Sequence, residues 1–188
     1  SVPEPFDELI FTAVTVSPDG SATAGPVDIP LQLARARRTR ALACVTHLYK
    51  STYSAEAADA ALLDGDARSR LASVATDCAT SNHLDGVHLD FGAINARHFD
   101  ALAELACEIR ARFSRLSPWY TISISVPSGW REGPFDLART TQCADMVVVE
   151  GFQRGSSGPA GPPTDLAWLE QQASYAVEDV GRAKLCVA

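Results

Sequence analysis

Six short apolar runs with strand character constrain this chain more than any other feature: ELIFTAVTV (8–16), ALACVTHLY (41–49), LDGVHLDF (84–91), YTISISVP (120–127), ADMVVVEGF (144–152) and AKLCVA (183–188). Helical spacing fills the stretches between them. Ala67, Leu71, Val74, Ala75 and Cys78 repeat at three and four, as do Phe99, Leu102, Ala103, Ala106, Ile109 and Phe113. Asn95 is placed to cap the second helix, and Thr164 with Asp165 begins a third that carries Leu166, Leu169, Ala173, Val177 and Val180. Continuously apolar strands separated by helices pair in parallel with both faces covered, so the class is α/β. No glycine-rich phosphate loop follows any strand, which favours a barrel over a nucleotide-binding open sheet. The 188 residues contain neither an internal repeat nor a second composition zone and read as one domain.

The formal net charge of −7 leaves no basic surplus to neutralise phosphates, which argues against nucleic acid or an anionic membrane as partner. The one basic run, ARARRTR at 34–40, surrounds helix-spaced Leu31, Leu33 and Ala34 and reads as a solvated helix end. No window approaches the ~18 consecutive apolar residues of a membrane span. The start, SVPEPFDEL, lacks the basic and apolar regions of a signal peptide, although a mature secreted chain would begin in the same way. The expectation is a soluble protein, extracellular or secreted.

Five cysteines, at 44, 78, 107, 143 and 186, lie far apart with no CxxC pair, so neither a zinc site nor a disulfide-dense scaffold is indicated. Cys44 and Cys186 in strand-like runs, and Cys78 and Cys107 on helical apolar faces, read as small buried hydrophobes. QRGSSGPAGPPTD (153–165), rich in Gly, Pro and Ser, reads either as a binding loop after the fifth strand or as a flexible linker. No set of His and carboxylate positions has metal-ligand spacing, and no cofactor is implied.

LDGVHLDFGAI (84–94) is the unusual strand. Residues two apart share a face, which puts His88, Asp90 and Gly92 on one side and Val87, Leu89 and Phe91 on the other. The apolar set faces helices and the polar set the barrel interior, with Asp85 at the strand's entry. Burying His88 and Asp90 costs several kcal/mol unless each has partners, so the stripe is either a candidate site or a satisfied pair that sets register.

DGVHLDFG resembles D-G-x-D-x-D-x-E, the fourth-strand signature of the glycoside hydrolase family 18 chitinase-like barrels, and the resemblance is greatest to their bacterial and spore-type branch. It matches at Asp85, Gly86 and Asp90 and departs at His88, where the family has aspartate, and at Gly92, where it has glutamate. A strand like ALACVTHLY, a segment like ARSRLASVATDCATSNHLDGVHLDF, a helix like RHFDALAELACEIRARF and a strand like YTISISVPSGW follow one another as in that branch. The family's M-x-Y-D aligns with Glu150, Gly151, Phe152 and Gln153, and its K-L-x-x-G strand with AKLCVA. The resemblance implies a TIM-type (β/α) barrel, incomplete in this chain, whose six strands correspond to the family's second through seventh. Absence of the first and eighth, which are neighbours, would leave two unpaired edges for the rest of a longer polypeptide, another chain or an N-terminal rearrangement to cover.

The resemblance also implies the chemistry. In this family the substrate's N-acetyl group attacks the anomeric carbon while a single enzyme acid, the motif's glutamate, protonates the leaving oxygen. Gly92 has no proton to donate, which forfeits roughly 10²–10⁴-fold. Asp90 matches the aspartate that orients the acetamido group, the family's tyrosine becomes Phe152, and its neighbouring aspartate becomes Gln153. Glu150 points to the same face as Phe152 but about 6–7 Å deeper, which suits a polar partner of His88 or Asp90 better than a relocated acid. Trp130, Tyr49 and Tyr53 follow strands on the side where barrel loops gather and are candidates to stack on sugar rings. Trp119 and Trp168 read as packing residues and His47 as an interior histidine. The expected function is a chitinase-like protein impaired in hydrolysis that binds an N-acetylated glycan or acts as a scaffold. The alternatives are a hydrolase using Glu150 and a structural subunit of an assembly.

Overall fold

The computed structural model describes residues 7–126, 130–132, 136–151 and 166–187. Phe152, Gln153, the 153–165 loop and the helix start at Thr164 and Asp165 lie outside the described residues. The strands are β1 (Glu8–Val16), β2 (Ala22–Ala24), β3 (Arg40–Thr46), β4 (Leu48–Tyr49), β5 (Thr52–Tyr53), β6 (Gly86–Asp90), β7 (Thr121–Val126), β8 (Met146–Val149) and β9 (Leu185–Val187). The α-helices are α1 (Asp28–Arg37), α2 (Ala55–Leu62), α3 (Gly65–Ser81), α4 (Ala96–Phe113), α5 (Leu137–Thr140) and α6 (Leu166–Val180).

The six apolar runs become six parallel strands in the order β1-β3-β6-β7-β8-β9, with helices between them. This is the barrel arrangement left unclosed. The sheet has a seventh strand that the hydrophobic pattern did not announce. Ser17–Gly20 forms a tight turn in which Gly20 N–H donates to Ser17 C=O and Gly20 takes φ +80°, so the small polar stretch Ala22–Ala24 folds back antiparallel on Val14–Val16. One of the two expected open edges is therefore covered over three residues, while among the described residues β9 pairs with β8 alone.

The core lies between the sheet's outer face and the helices. Val87 and Leu89 of β6, with Ala43 and Val45 of β3, pack with Leu71 and Ala75 of α3 and Leu102, Leu105 and Ile109 of α4. The predicted faces of α3 and α4 are those buried, and Asn95 caps α4 as expected. In α6 the buried residues are Gln172 and Ala176, whereas Leu166 and Val177 are exposed, because the helix is turned toward the short segment at Trp130–Glu132. There Trp130 Nε1–H donates to Asp179 at 3.1 Å, and Arg131 pairs with Asp179 while its guanidinium lies 4.2 Å from the Tyr175 ring centroid.

Cys107 and Cys143 form a disulfide, where the sequence suggested a buried apolar Cys107. Cys44 and Cys78 are buried free thiols, but Cys186 is exposed. Trp119, read as a packing residue, is 85% exposed; it borders a shallow cleft with His83 and Asp85 at the strands' N-terminal rim. Among the described residues no helix is long and apolar enough to cross a membrane.

Candidate functional site

Register assembles the site. His88 stands level with Cys44 on β3 and Ser123 on β7, and Asp90 stands level with Thr46. Asp85, before β6, accepts the Ala41 N–H at 2.8 Å through its side chain, while its backbone N–H donates to Ala41 C=O. Asp145, before β8, does the same for Ile122. Each aspartate closes the ladder at a strand's start, so Asp85 serves the sheet from the rim opposite Asp90.

His88 is 5% exposed, and its ring nitrogens lie 2.8 Å from Ser123 Oγ and 2.9 Å from Ser125 Oγ. Hydroxyls both donate and accept, so a neutral imidazole satisfies both contacts. Burial, only partly opposed by the charge of Asp90, pushes the His88 ring down to about 4, which keeps it neutral. The neighbouring Cys44 thiol is pushed up to about 12 by burial and then by Asp90. Position 88 thus carries an uncharged ring that braces two serines.

Asp90 is half-buried at the C-terminal end of β6. Tyr53 donates its hydroxyl to Asp90, 2.8 Å from Oδ1 and 3.1 Å from Oδ2, and Thr46 donates at 3.3 Å. Tyr53 comes from a hairpin absent from the sequence reading. The expected strand 41–49 ends at Thr46; β4 then turns through Lys50 and Ser51, at φ +48° and +67°, into β5. Two consecutive left-handed residues make the tight turn that such a two-residue loop requires.

The same hairpin leaves Gly92 no room for a side chain while the Tyr53 ring stays where it is. A Cβ at position 92 would lie 2.6 Å from Tyr53 Cε2 and Cζ and 2.9 Å from its hydroxyl oxygen. His47, 1% exposed, completes the arrangement: it stacks on Phe91 at 5.2 Å and lies 5.0 Å from the Tyr53 ring. Its Nδ1 and Nε2 each lie 2.8 Å from a backbone carbonyl oxygen, of Ser54 and Gly92 respectively.

Of the remaining sequence candidates, Tyr49 is 38% exposed on β4 with Lys50 Nζ 5.1 Å from its ring centroid. Glu150 is half-buried just past β8, where its N–H donates to Val126 C=O. The ring nitrogens of His88 bond to serines rather than to Glu150. Trp130 corrects the expectation of a sugar-stacking face: it is 3% exposed and belongs to the core. The sequence reading missed Ser123, Ser125 and Thr46 as polar partners, and treated Tyr53 only as a stacking ring. Period-two alternation in YTISISV does set both serines on one face. Among the described residues no group of three or more His, Cys, Asp or Glu could hold a metal ion.

Neither a family model nor a curated protein matches the sequence. Solved structures do match the fold. ydhD of Bacillus subtilis, a proposed sporulation-specific glycosylase, superposes with a TM-score of 0.86 at 17% identity, over 96% of this chain and 62% of that one. A chitinase from Chromobacterium violaceum gives 0.80 at 20% identity over 97% and 60%. The spore cortex-lytic enzyme SleL of Bacillus megaterium gives 0.84 at 17% over 97% and 43%. The chain therefore spans less than two thirds of the length of these proteins. It has the fold of the chitinase and spore cortex-lytic barrels, with the barrel left open.

Proposed function

We propose that this chain is a chitinase-like barrel that has lost hydrolytic competence and serves as a glycan-binding or scaffolding protein, its ligand an N-acetylated glycan. The observation that carries the reading is position 92: no proton donor stands there, and the Tyr53 ring lies where its side chain would begin. The change of the motif's other aspartate to a neutral His88 agrees with it, since a site that no longer generates a charged intermediate has no need of a second carboxylate. Asp90 is retained and, when the Tyr53 hydroxyl leaves it, can accept from an acetamido N–H or a sugar hydroxyl. The Cys107–Cys143 disulfide favours an oxidising, extracytoplasmic setting.

Incubation with N-acetylglucosamine oligomers, followed by chromatography of the products, is expected to yield no cleavage above the blank. Turnover that disappears in Asp90→Ala would overturn the reading; turnover lost in Glu150→Gln with the fold intact would instead make Glu150 the acid. Calorimetric titration with the same oligomers is expected to detect binding that Asp90→Ala weakens.

A further inference from the structure

We propose that Tyr53 determines what this site admits: its ring fills the place next to Gly92 where an acidic side chain would stand, and its hydroxyl takes the carboxylate of Asp90. The β4–β5 hairpin thus acts as a strap that keeps the innermost sugar position closed. This inference rests on the glycan reading above and adds a residue that controls access to it.

Three observations converge. The space beside Gly92 is taken by Tyr53, since the atoms nearest a Cβ there are all Tyr53 side-chain atoms, at 2.6–2.9 Å. Asp90 is occupied, because the Tyr53 hydroxyl lies within 3.1 Å of both carboxylate oxygens. The strap is a separable element: β4 and β5 pair with each other in a two-stranded sheet apart from the main one, and the hairpin's residues Leu48 and Tyr49 are exposed. Its base is held where Ser54 N–H donates to His47 C=O, and where the His47 ring meets the carbonyls of Ser54 and Gly92. Swinging Tyr53 outward would free Asp90 and open the volume beside Gly92 together. A ligand that needs Asp90 then binds only the open fraction, and its apparent affinity falls in proportion.

The experiment combines binding and stability in the folded chain. Titration with the N-acetylglucosamine tetramer is expected to give about tenfold or greater tightening in Tyr53→Ala, as a strap closed about nine-tenths of the time would require. Tyr53→Leu, which keeps apolar bulk at the strap while removing the hydroxyl and the ring, should tighten binding in the same direction if Tyr53→Ala fails to fold. In parallel, Gly92→Ala should lower the melting temperature in the wild-type background and lower it much less in the Tyr53→Ala background, a coupling expected only of residues in contact. Equal affinity in wild type and Tyr53→Ala, or additive stability effects, would overturn the proposal. Absence of binding by every folded variant would overturn the glycan reading and with it the control of access, while the Gly92–Tyr53 pairing would still be decided by the melting data.

Discussion

His88 shows what burying an imidazole beside Asp90 does to the site's charge. The imidazole is buried and bonds to two hydroxyls, so ionising it costs more than Asp90, whose charge only partly offsets the burial, returns. Its pKa falls from the ordinary 6.5 to about 4 in the folded chain. The sign follows from proton uptake: between those values the unfolded chain binds a proton that the native chain does not, so stability rises with pH. The contribution is complete above pH ~6.5 and is lost as pH falls toward ~4, a change on the order of 3 kcal/mol at about 1.36 kcal/mol per unit. Urea unfolding of wild type and His88→Asn between pH 4 and 7 should show this slope in the wild type and its absence in the variant. An identical pH dependence in both would mean that His88 titrates as an exposed histidine does.

At the level of strands and helices, the two ends of β6 perform different tasks within one motif. Asp85 holds the Ala41 N–H at the entry, and Asp90 meets Tyr53 at the exit. Asp85→Ala leaves a strand-edge donor without its acceptor and should destabilise by about 1–3 kcal/mol in chemical denaturation. Tetramer binding by the folded fraction should stay unchanged. A stability loss absent in Asp85→Ala, or a binding loss present, would reverse that division. The parallel order and the buried faces of α3 and α4 were legible because burial on both sides of a strand, or on one stripe of a helix, writes its period into the sequence. The hairpin was not, because Lys50-Ser51 lacks the Asn-Gly or Asp-Gly pattern that advertises a two-residue turn, and Tyr49 merely continued an apolar run. Without the hairpin Tyr53 read only as a stacking ring, and its contacts with Asp90 and with the space beside Gly92 were missed. Trp130 and Trp119 were assigned in the wrong sense for a related cause: exposure of a tryptophan beyond a strand's end is set by what packs over it, here α6 over Trp130, and no local pattern encodes that.

Over the whole molecule, the described residues contain cross-braces at the β7–β8 side. Cys107 on α4 is bonded to Cys143 just before β8 across a separation of 36 residues. Arg110, one turn along α4, pairs with Asp145 and donates to the carbonyls of Tyr120 and Cys143 at 3.1 and 3.3 Å. Together they tie helix, strand entry and loop into one unit. A loop of this length gains about 2–4 kcal/mol from cross-linking. Reduction, or the paired change Cys107→Ser and Cys143→Ser, should then lower the melting temperature by roughly 5–15 °C for a chain of this size. Thiol titration of the denatured, unreduced protein should find the three free cysteines Cys44, Cys78 and Cys186, against five after reduction. Five thiols without reductant, or a melting temperature indifferent to reductant, would remove the disulfide from the account and with it the argument for an oxidising compartment.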